Sequence, residues 1–161
     1  MTSLTLVLGG AASGKSSIAE RLVAEAGAEV VYVATGVATD PDMAARIAAH
    51  RDRRPSTWST VETTDLPAAV ATLPDRPALV DSLGTWVAHA ADLRVDVDAL
   101  VAALRARTAP TVVVSEEVGL GVHPETPVGR RFRDVLGEVN RRVADIADEV
   151  LLVVAGRTVR L

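Results

Sequence analysis

Cysteine is absent from this 161-residue chain, and aromatic side chains make up only 2% of it. Without cysteine there is no disulfide framework and no thiolate chemistry. With so few aromatics the core must be built from Val, Leu, Ile and Ala, which suits a parallel sheet covered by helices. No stretch approaches the ~20 uninterrupted apolar residues of a membrane span. The N-terminus opens directly into an apolar strand pattern, leaving no room for a signal peptide, so a cytoplasmic protein is expected. A basic excess is also missing. The net charge is −4 and the pI about 5.4, which argues against a general nucleic-acid-binding surface. The 161 residues fit one domain, 1–161, long enough to bury a core.

Against these absences stands one dense motif. Leu4 to Leu8 is an apolar run of strand length, followed by Gly9, Gly10, Ala11, Ala12, Ser13, Gly14, Lys15 and Ser16. The eight residues match G-x-x-x-x-G-K-[ST] in the strand–loop–helix setting that the phosphate-binding loop requires. Glycines let successive backbone N–H groups point at phosphate oxygens, and the helix starting near Lys15 adds the positive end of its dipole. Lys15 is then placed for the β- and γ-phosphates and the Ser16 hydroxyl for Mg2+. An ordinary glycine-rich turn is the competing reading. At average residue usage, a full match arises by chance in about one chain of this length in a hundred, or fewer.

Further along, residues 15–26 read as a helix with Ile18, Leu22 and Val23 on its apolar stripe and Gly27 after its end. Residues 29–35 read as a buried strand. Asp40-Pro41 opens a second helix, with Met43, Ala44 and Ile47 expected to face inward, and Pro55 closes it. Residues 58–62 form a short strand, 65–73 a short helix, 78–81 and 111–115 two more apolar strands. Helices are expected over 85–91, 97–107 and 130–147, the last with Phe132, Val135, Val139, Val143 and Ile146 on one stripe. Residues 149–155 and 158–161, joined by Gly156-Arg157, read as an antiparallel hairpin at the sheet edge. The alternation of strands and helices predicts a doubly wound α/β fold.

Three features carry candidate chemistry. Asp81 ends an apolar strand, where P-loop proteins place the acidic residue that holds Mg2+, although a capping or surface aspartate fits as well. His50 lies one turn after Arg46 and is followed by Arg51, Arg53 and Arg54. Such a cluster attracts phosphates and keeps a nearby imidazole neutral by like-charge repulsion. A neutral imidazole there could attack phosphorus; a solvated, uninvolved histidine is the plainer alternative. A second arginine group comprises Arg130, Arg131 and Arg133, and an acidic protein with such local basic clusters looks like a binder of small anions.

The P-loop, YVATG at 32–36 and DPDMAARIAAHRDRRPSTWSTVE at 40–62 together resemble the bifunctional cobinamide kinase / cobinamide-phosphate guanylyltransferase family of cobalamin biosynthesis. LVDSLGTWV at 79–87, SEEVGLGVHPETPVGRRFRDVLGEVNRRVADIADEV at 115–150 and LLVVAG at 151–156 continue the resemblance over almost the whole chain. It implies phosphorylation of the aminopropanol hydroxyl of adenosylcobinamide by ATP or GTP. Transfer of GMP from GTP to that phosphate then gives adenosyl-GDP-cobinamide and pyrophosphate.

The resemblance also implies that His50 carries the guanylyl group and that Lys15 serves phosphoryl transfer. Nucleotide contacts fall on Gly9 to Ser16, on Ala34, Thr35 and Gly36, on Arg51, Asp52, Arg53 and Arg54, and on Glu62 and Asp81. Mg2+ falls on Ser16 and Asp81. Glu62 suits recognition of guanine N1–H and its exocyclic amine. The implied fold is a P-loop, RecA-like sheet assembled as a homotrimer, with adenosylcobinamide, its phosphate and nucleoside triphosphates as partners. This chain departs from the pattern at Ala12, Ser82, Gly84, His89 and Glu116; the last stands where relatives commonly carry Asn and adds negative charge near the site. Two other readings fit the motifs alone: a P-loop kinase of another small alcohol, and a nucleotide-gated, RecA-like binding module.

Overall fold

The computed structural model describes residues 4–36, 41–52 and 54–161. In the helix over 41–52, the side chains of residues 41–43, 46, 47 and 50 also lie outside the description. The expected N-cap Asp40 and the inward positions Met43 and Ile47 therefore fall outside it, as do Arg53 and the side chains of Arg46 and His50.

The chain alternates strands β1 (Leu4–Gly9), β2 (Val31–Ala34), β3 (Ser59–Glu62), β4 (Ala78–Asp81), β5 (Thr111–Glu116), β6 (Glu149–Val154) and β7 (Arg157–Arg160) with helices. The helices are α1 (Lys15–Ala26), α2 (Pro41–Asp52), α3 (Leu66–Ala71), α4 (Leu83–His89), α5 (Val97–Arg105) and α6 (Pro127–Ala144), with one 3-10 turn at Ala91–Leu93. One sheet of order β3-β2-β4-β5-β1-β6-β7 results. Every pair is parallel except β6–β7, the expected antiparallel hairpin at the edge. Among the described residues no helix is long and apolar enough to cross a membrane.

Strand periodicity divides the core. Leu4, Leu6, Leu8, Val31, Val33, Val80 and Val113 face one way and pack under buried residues of four helices: Leu66 of α3, Trp86 of α4, Leu100 of α5 and Val139 of α6. Val7, Tyr32, Leu79, Val112, Val114 and Val153 face the other way, against Ile18, Ala19 and Val23 of α1. Each fully buried aliphatic side chain contributes about 1.5–3 kcal/mol by leaving water. The four-helix face is the thicker store of stability.

Several boundaries move for local reasons. Helix α6 starts at Pro127, earlier than the expected Arg130, because Thr126 accepts a hydrogen bond from Gly129 N–H at 3.1 Å and Pro127 fills the first turn. Its buried stripe adds Leu136 and Asn140 to Val139 and Val143, while Phe132, Val135 and Ile146 are half-buried. Helix α4 starts at Leu83 rather than Thr85, since Ser82 and Thr85 form a reciprocal capping box. Ala44 of α2, expected to face inward, is exposed. It borders the cavity described next instead of packing on the sheet.

Candidate functional site

The carboxyl ends of β1, β2, β4 and β5 converge on a cavity of about 1070 Å3, bounded by the P-loop on one side and α2 on the other. Open α/β sheets bind ligands at this end of their strands.

The loop after β1 is shaped by close backbone approach. A Cβ at Gly9 would stand 2.4 Å from Ser13 Oγ and 3.0 Å from the Val153 carbonyl oxygen. Gly14 caps α1 with φ +91, a left-handed conformation that glycine adopts without strain. The turn between β6 and β7 supports the loop from behind, with Gly156 N–H donating to the Ser13 carbonyl at 2.8 Å. Lys15 is largely buried; its ammonium donates to the Gly10 carbonyl at 3.3 Å and lies 3.8 Å from Glu116 Oε1.

Opposite the loop, the rows of β3, β2 and β4 set the remaining chemistry. Register pairs Ala34 with Glu62 and with Asp81, and Tyr32 with Thr60 and with Leu79. The period of two places these side chains on the α1 face of the sheet. The Tyr32 hydroxyl donates to Asp81 Oδ2 at 2.6 Å. Burial first, and then the negative Asp81 carboxylate, hold the Tyr32 phenol well above its ordinary range, so it stays a donor. Arg54 lies over the Tyr32 ring, 3.3 Å from its centroid, and donates to Thr60 Oγ1 at 3.4 Å. Its Nε is buried without a hydrogen-bond partner among the described residues. Farther out, Arg51 and Glu62 form an exposed ion pair at 2.9 Å.

Glu116 closes the floor. Both of its carboxylate oxygens accept from Ser82 Oγ at 3.0 Å. Gly84 makes room for it, because a Cβ there would stand 1.9 Å from Glu116 Oε2. The strand end that carries Glu116 is fixed by a buried clamp: Ser115 Oγ donates to Asn140 Oδ1 at 2.6 Å, and Asn140 Nδ2 donates to the Glu116 carbonyl at 3.1 Å.

Of the residues singled out in the sequence, Ala11, Ala12, Ser13, Gly14, Lys15, Ser16, Ala34, Gly36, Arg51, Arg54, Glu62 and Asp81 line this one cavity. Gly9, Gly10, Thr35 and Asp52 are not on its wall. Thr35 is buried, its hydroxyl donating to the Ser82 carbonyl at 2.6 Å and accepting from Ser82 N–H at 3.0 Å. It braces the start of α4. Arg53 and the side chain of His50 lie outside the described residues; the His50 backbone is helical, in α2 next to Arg51. Sequence reasoning missed the link from Tyr32 to Asp81 and Arg54, and the Thr60, Thr63 and Thr64 wall. The signal available was strand parity, which puts the chain's one tyrosine on the same face as Asp81.

Among the described residues, three cations and three carboxylates thus line the cavity: Lys15, Arg51 and Arg54 against Glu62, Asp81 and Glu116. No group of three or more His, Asp or Glu able to hold a metal ion exists among the described residues. Ser16 and Asp81 are oxygen donors on its wall; Mg2+ is commonly held by one or two protein oxygens together with substrate phosphates.

The family model described as cobinamide kinase / cobinamide phosphate guanyltransferase matches residues 5–161. The chain is 38% identical to the bifunctional adenosylcobalamin biosynthesis protein CobU of Salmonella typhimurium, covering 98% of this chain and 99% of that protein. It is 40% identical to the bifunctional adenosylcobalamin biosynthesis protein CobP of Pseudomonas aeruginosa, over 94% of this chain and 92% of that protein. Among solved structures, the flagellar accessory protein FlaH of Methanocaldococcus jannaschii superposes with a TM-score of 0.54 at 17% identity, over 97% of this chain and 74% of that one. The ATP synthase subunit NeqB of Nanoarcheaum equitans gives 0.55 at 8% identity, over 93% and 45%. These two likenesses concern the fold alone, a mostly parallel sheet flanked by helices. With a matching model over nearly its full length and relatives this similar, the chain belongs to the cobinamide kinase / cobinamide phosphate guanyltransferase family.

Proposed function

We propose that this chain, as one P-loop domain over residues 1–161, phosphorylates adenosylcobinamide and then guanylylates the product. The observation that carries the reading is the meeting of the P-loop, Asp81, Arg51 of α2 and Arg54 just after it on a single cavity. A kinase alone needs the first two; the arginine helix is the added part.

For phosphoryl transfer, backbone N–H groups of Gly9 to Ser16 cradle the triphosphate and Lys15 neutralises charge on its β- and γ-oxygens. The Ser16 hydroxyl and the Asp81 carboxylate would hold Mg2+. That ion supplies charge neutralisation between the phosphates when bound. The acceptor alcohol attacks the γ-phosphorus and releases its proton to solvent, the bond to the bridging oxygen breaks, and the nucleoside diphosphate leaves.

For guanylyl transfer, a ring nitrogen of His50 attacks the α-phosphorus of GTP and pyrophosphate departs. The phosphate of cobinamide phosphate then attacks the same phosphorus, breaking the P–N bond and releasing adenosyl-GDP-cobinamide. Splitting the transfer this way gives ping-pong kinetics. Arg51, Arg53 and Arg54 hold phosphate oxygens during the exchange, Glu62 selects guanine, and Ala34, Thr35, Gly36 and Asp52 complete the nucleotide pocket. A homotrimer is part of the proposal and rests on the family resemblance of the sequence; a cytoplasmic location is proposed with it.

Incubation with α-32P-labelled GTP and Mg2+ tests the assignment. Acid-labile, alkali-stable label is expected on the wild type and none on His50→Ala. Label that persists in His50→Ala overturns it.

A further inference from the structure

The carboxylate assigned to Mg2+ and the arginine assigned to phosphate meet on one side chain. Tyr32 is 4% exposed, buried between β3 and β4 with its hydroxyl on Asp81 and its ring face under Arg54. A phenylalanine would fill the same space, so packing alone does not account for the hydroxyl. Buried tyrosine O–H groups need a partner, and this one has chosen a carboxylate that faces the cavity. The guanidinium is equally constrained. With Nη1 on Thr60 and Cζ over the ring, Arg54 keeps a buried Nε that has no hydrogen-bond partner among the described residues, beside the cavity it lines.

We propose that Tyr32 is a positioning residue that sets both charged halves of the nucleotide site. Its hydroxyl fixes the rotamer in which Asp81 presents its other oxygen to a divalent cation, and its ring fixes Arg54 against the triphosphate. Partners of ligating carboxylates typically contribute 10- to 100-fold in metal affinity. A cation held over an aromatic face is fixed in place, and freeing Arg54 from the ring is expected to weaken nucleotide binding roughly two- to thirtyfold. The two effects belong to different atoms of one residue and are separable by substitution. The inference rests on the nucleotide-binding half of the proposed function and is independent of the acceptor.

The experiment follows Mn2+ by electron paramagnetic resonance, with a non-hydrolysable guanosine imidotriphosphate as nucleotide, on wild type, Tyr32→Phe and Tyr32→Leu. Nucleotide affinity without metal is measured by calorimetry. Tyr32→Phe is expected to weaken Mn2+ in the ternary complex about tenfold or more and to change metal-free nucleotide affinity less than twofold. Tyr32→Leu is expected to show the same metal loss and, in addition, a roughly two- to thirtyfold loss of nucleotide affinity. If Tyr32→Leu does not fold, Arg54→Gln replaces it, with nucleotide affinity reduced and Mn2+ affinity within twofold of wild type. Unchanged Mn2+ binding in Tyr32→Phe overturns the inference, as does an equal loss of metal and nucleotide in that variant. Wild type that binds no nucleotide overturns the reading of the site itself, an outcome visible before any variant is compared.

Discussion

The two faces of the sheet are built on the same strands yet serve different ends. One face lies under α3, α4, α5 and α6 and packs fully buried Leu66, Leu83, Leu100 and Leu136 against the strands. The other is covered by α1, whose buried residues are Ile18, Ala19 and Val23. Toward the carboxyl ends of the strands it opens into the cavity between the P-loop and α2. On the first face nearly every side chain is aliphatic; on the second, Tyr32, Asp81, Thr60 and Glu62 occupy the parity positions. The lesson is a division of labour by strand parity near the strand ends: residues one apart in the same strand pack the four-helix core or face the cavity.

The sharpest way to break that comparison is a deletion on the thick face. Leu100→Ala, at a fully buried position of α5, is expected to cost about 2–5 kcal/mol of stability, read from urea unfolding, with nucleotide affinity unchanged. A substitution at a junction between thick face and site should move both properties. Asn140→Ala leaves the Ser115 hydroxyl and the Glu116 carbonyl without the partners they have. About 1–3 kcal/mol of stability should be lost, together with a severalfold change in nucleotide affinity as Glu116 shifts.

Smaller still is Gly84→Ala. The atom it displaces is the far end of the flexible Glu116 side chain, so the stability cost should stay under about 1 kcal/mol. The carboxylate must nevertheless leave Ser82 and Lys15, and nucleotide affinity reports that movement by calorimetry. The least effect is expected on the outer surface of α6. There the Arg141 hydrogen bond holds the Glu138 carboxyl below its ordinary 4.5. Since the native pKa is the lower one, the pair's contribution is present above about pH 4.5 and fades as pH falls through the native pKa. Glu138→Gln should flatten that part of the thermal-unfolding profile and change little at pH 7.

Much of this was readable in the residues. The apolar run Leu4–Leu8, the glycine pattern and the start at Lys15 announce a strand, a phosphate loop and a helix, because each depends on local chemistry. Asp81 at the end of ALVD was equally plain, and so was the edge hairpin around Gly156. The strand order was not, since register between Ala34 and Asp81 is a contact across many residues that no local pattern encodes. The apolar stripe places the start of α6 at Arg130, although the cap chemistry of Thr126-Pro127 marks it three residues earlier. Ala44 reads as a core position because alanine is apolar, yet α2 borders a cavity. Tyr32 stayed within a strand motif because its partners come from β4 and from the residues that follow α2.

The central claim, that the P-loop face binds nucleotide while the opposite face carries the fold, is tested most directly by titrating GTP with Mg2+ into Lys15→Ala. The account predicts that affinity falls by about two orders of magnitude, as expected for loss of a charge-assisted phosphate contact, at an unchanged unfolding midpoint. GTP affinity equal to that of the wild type would contradict it.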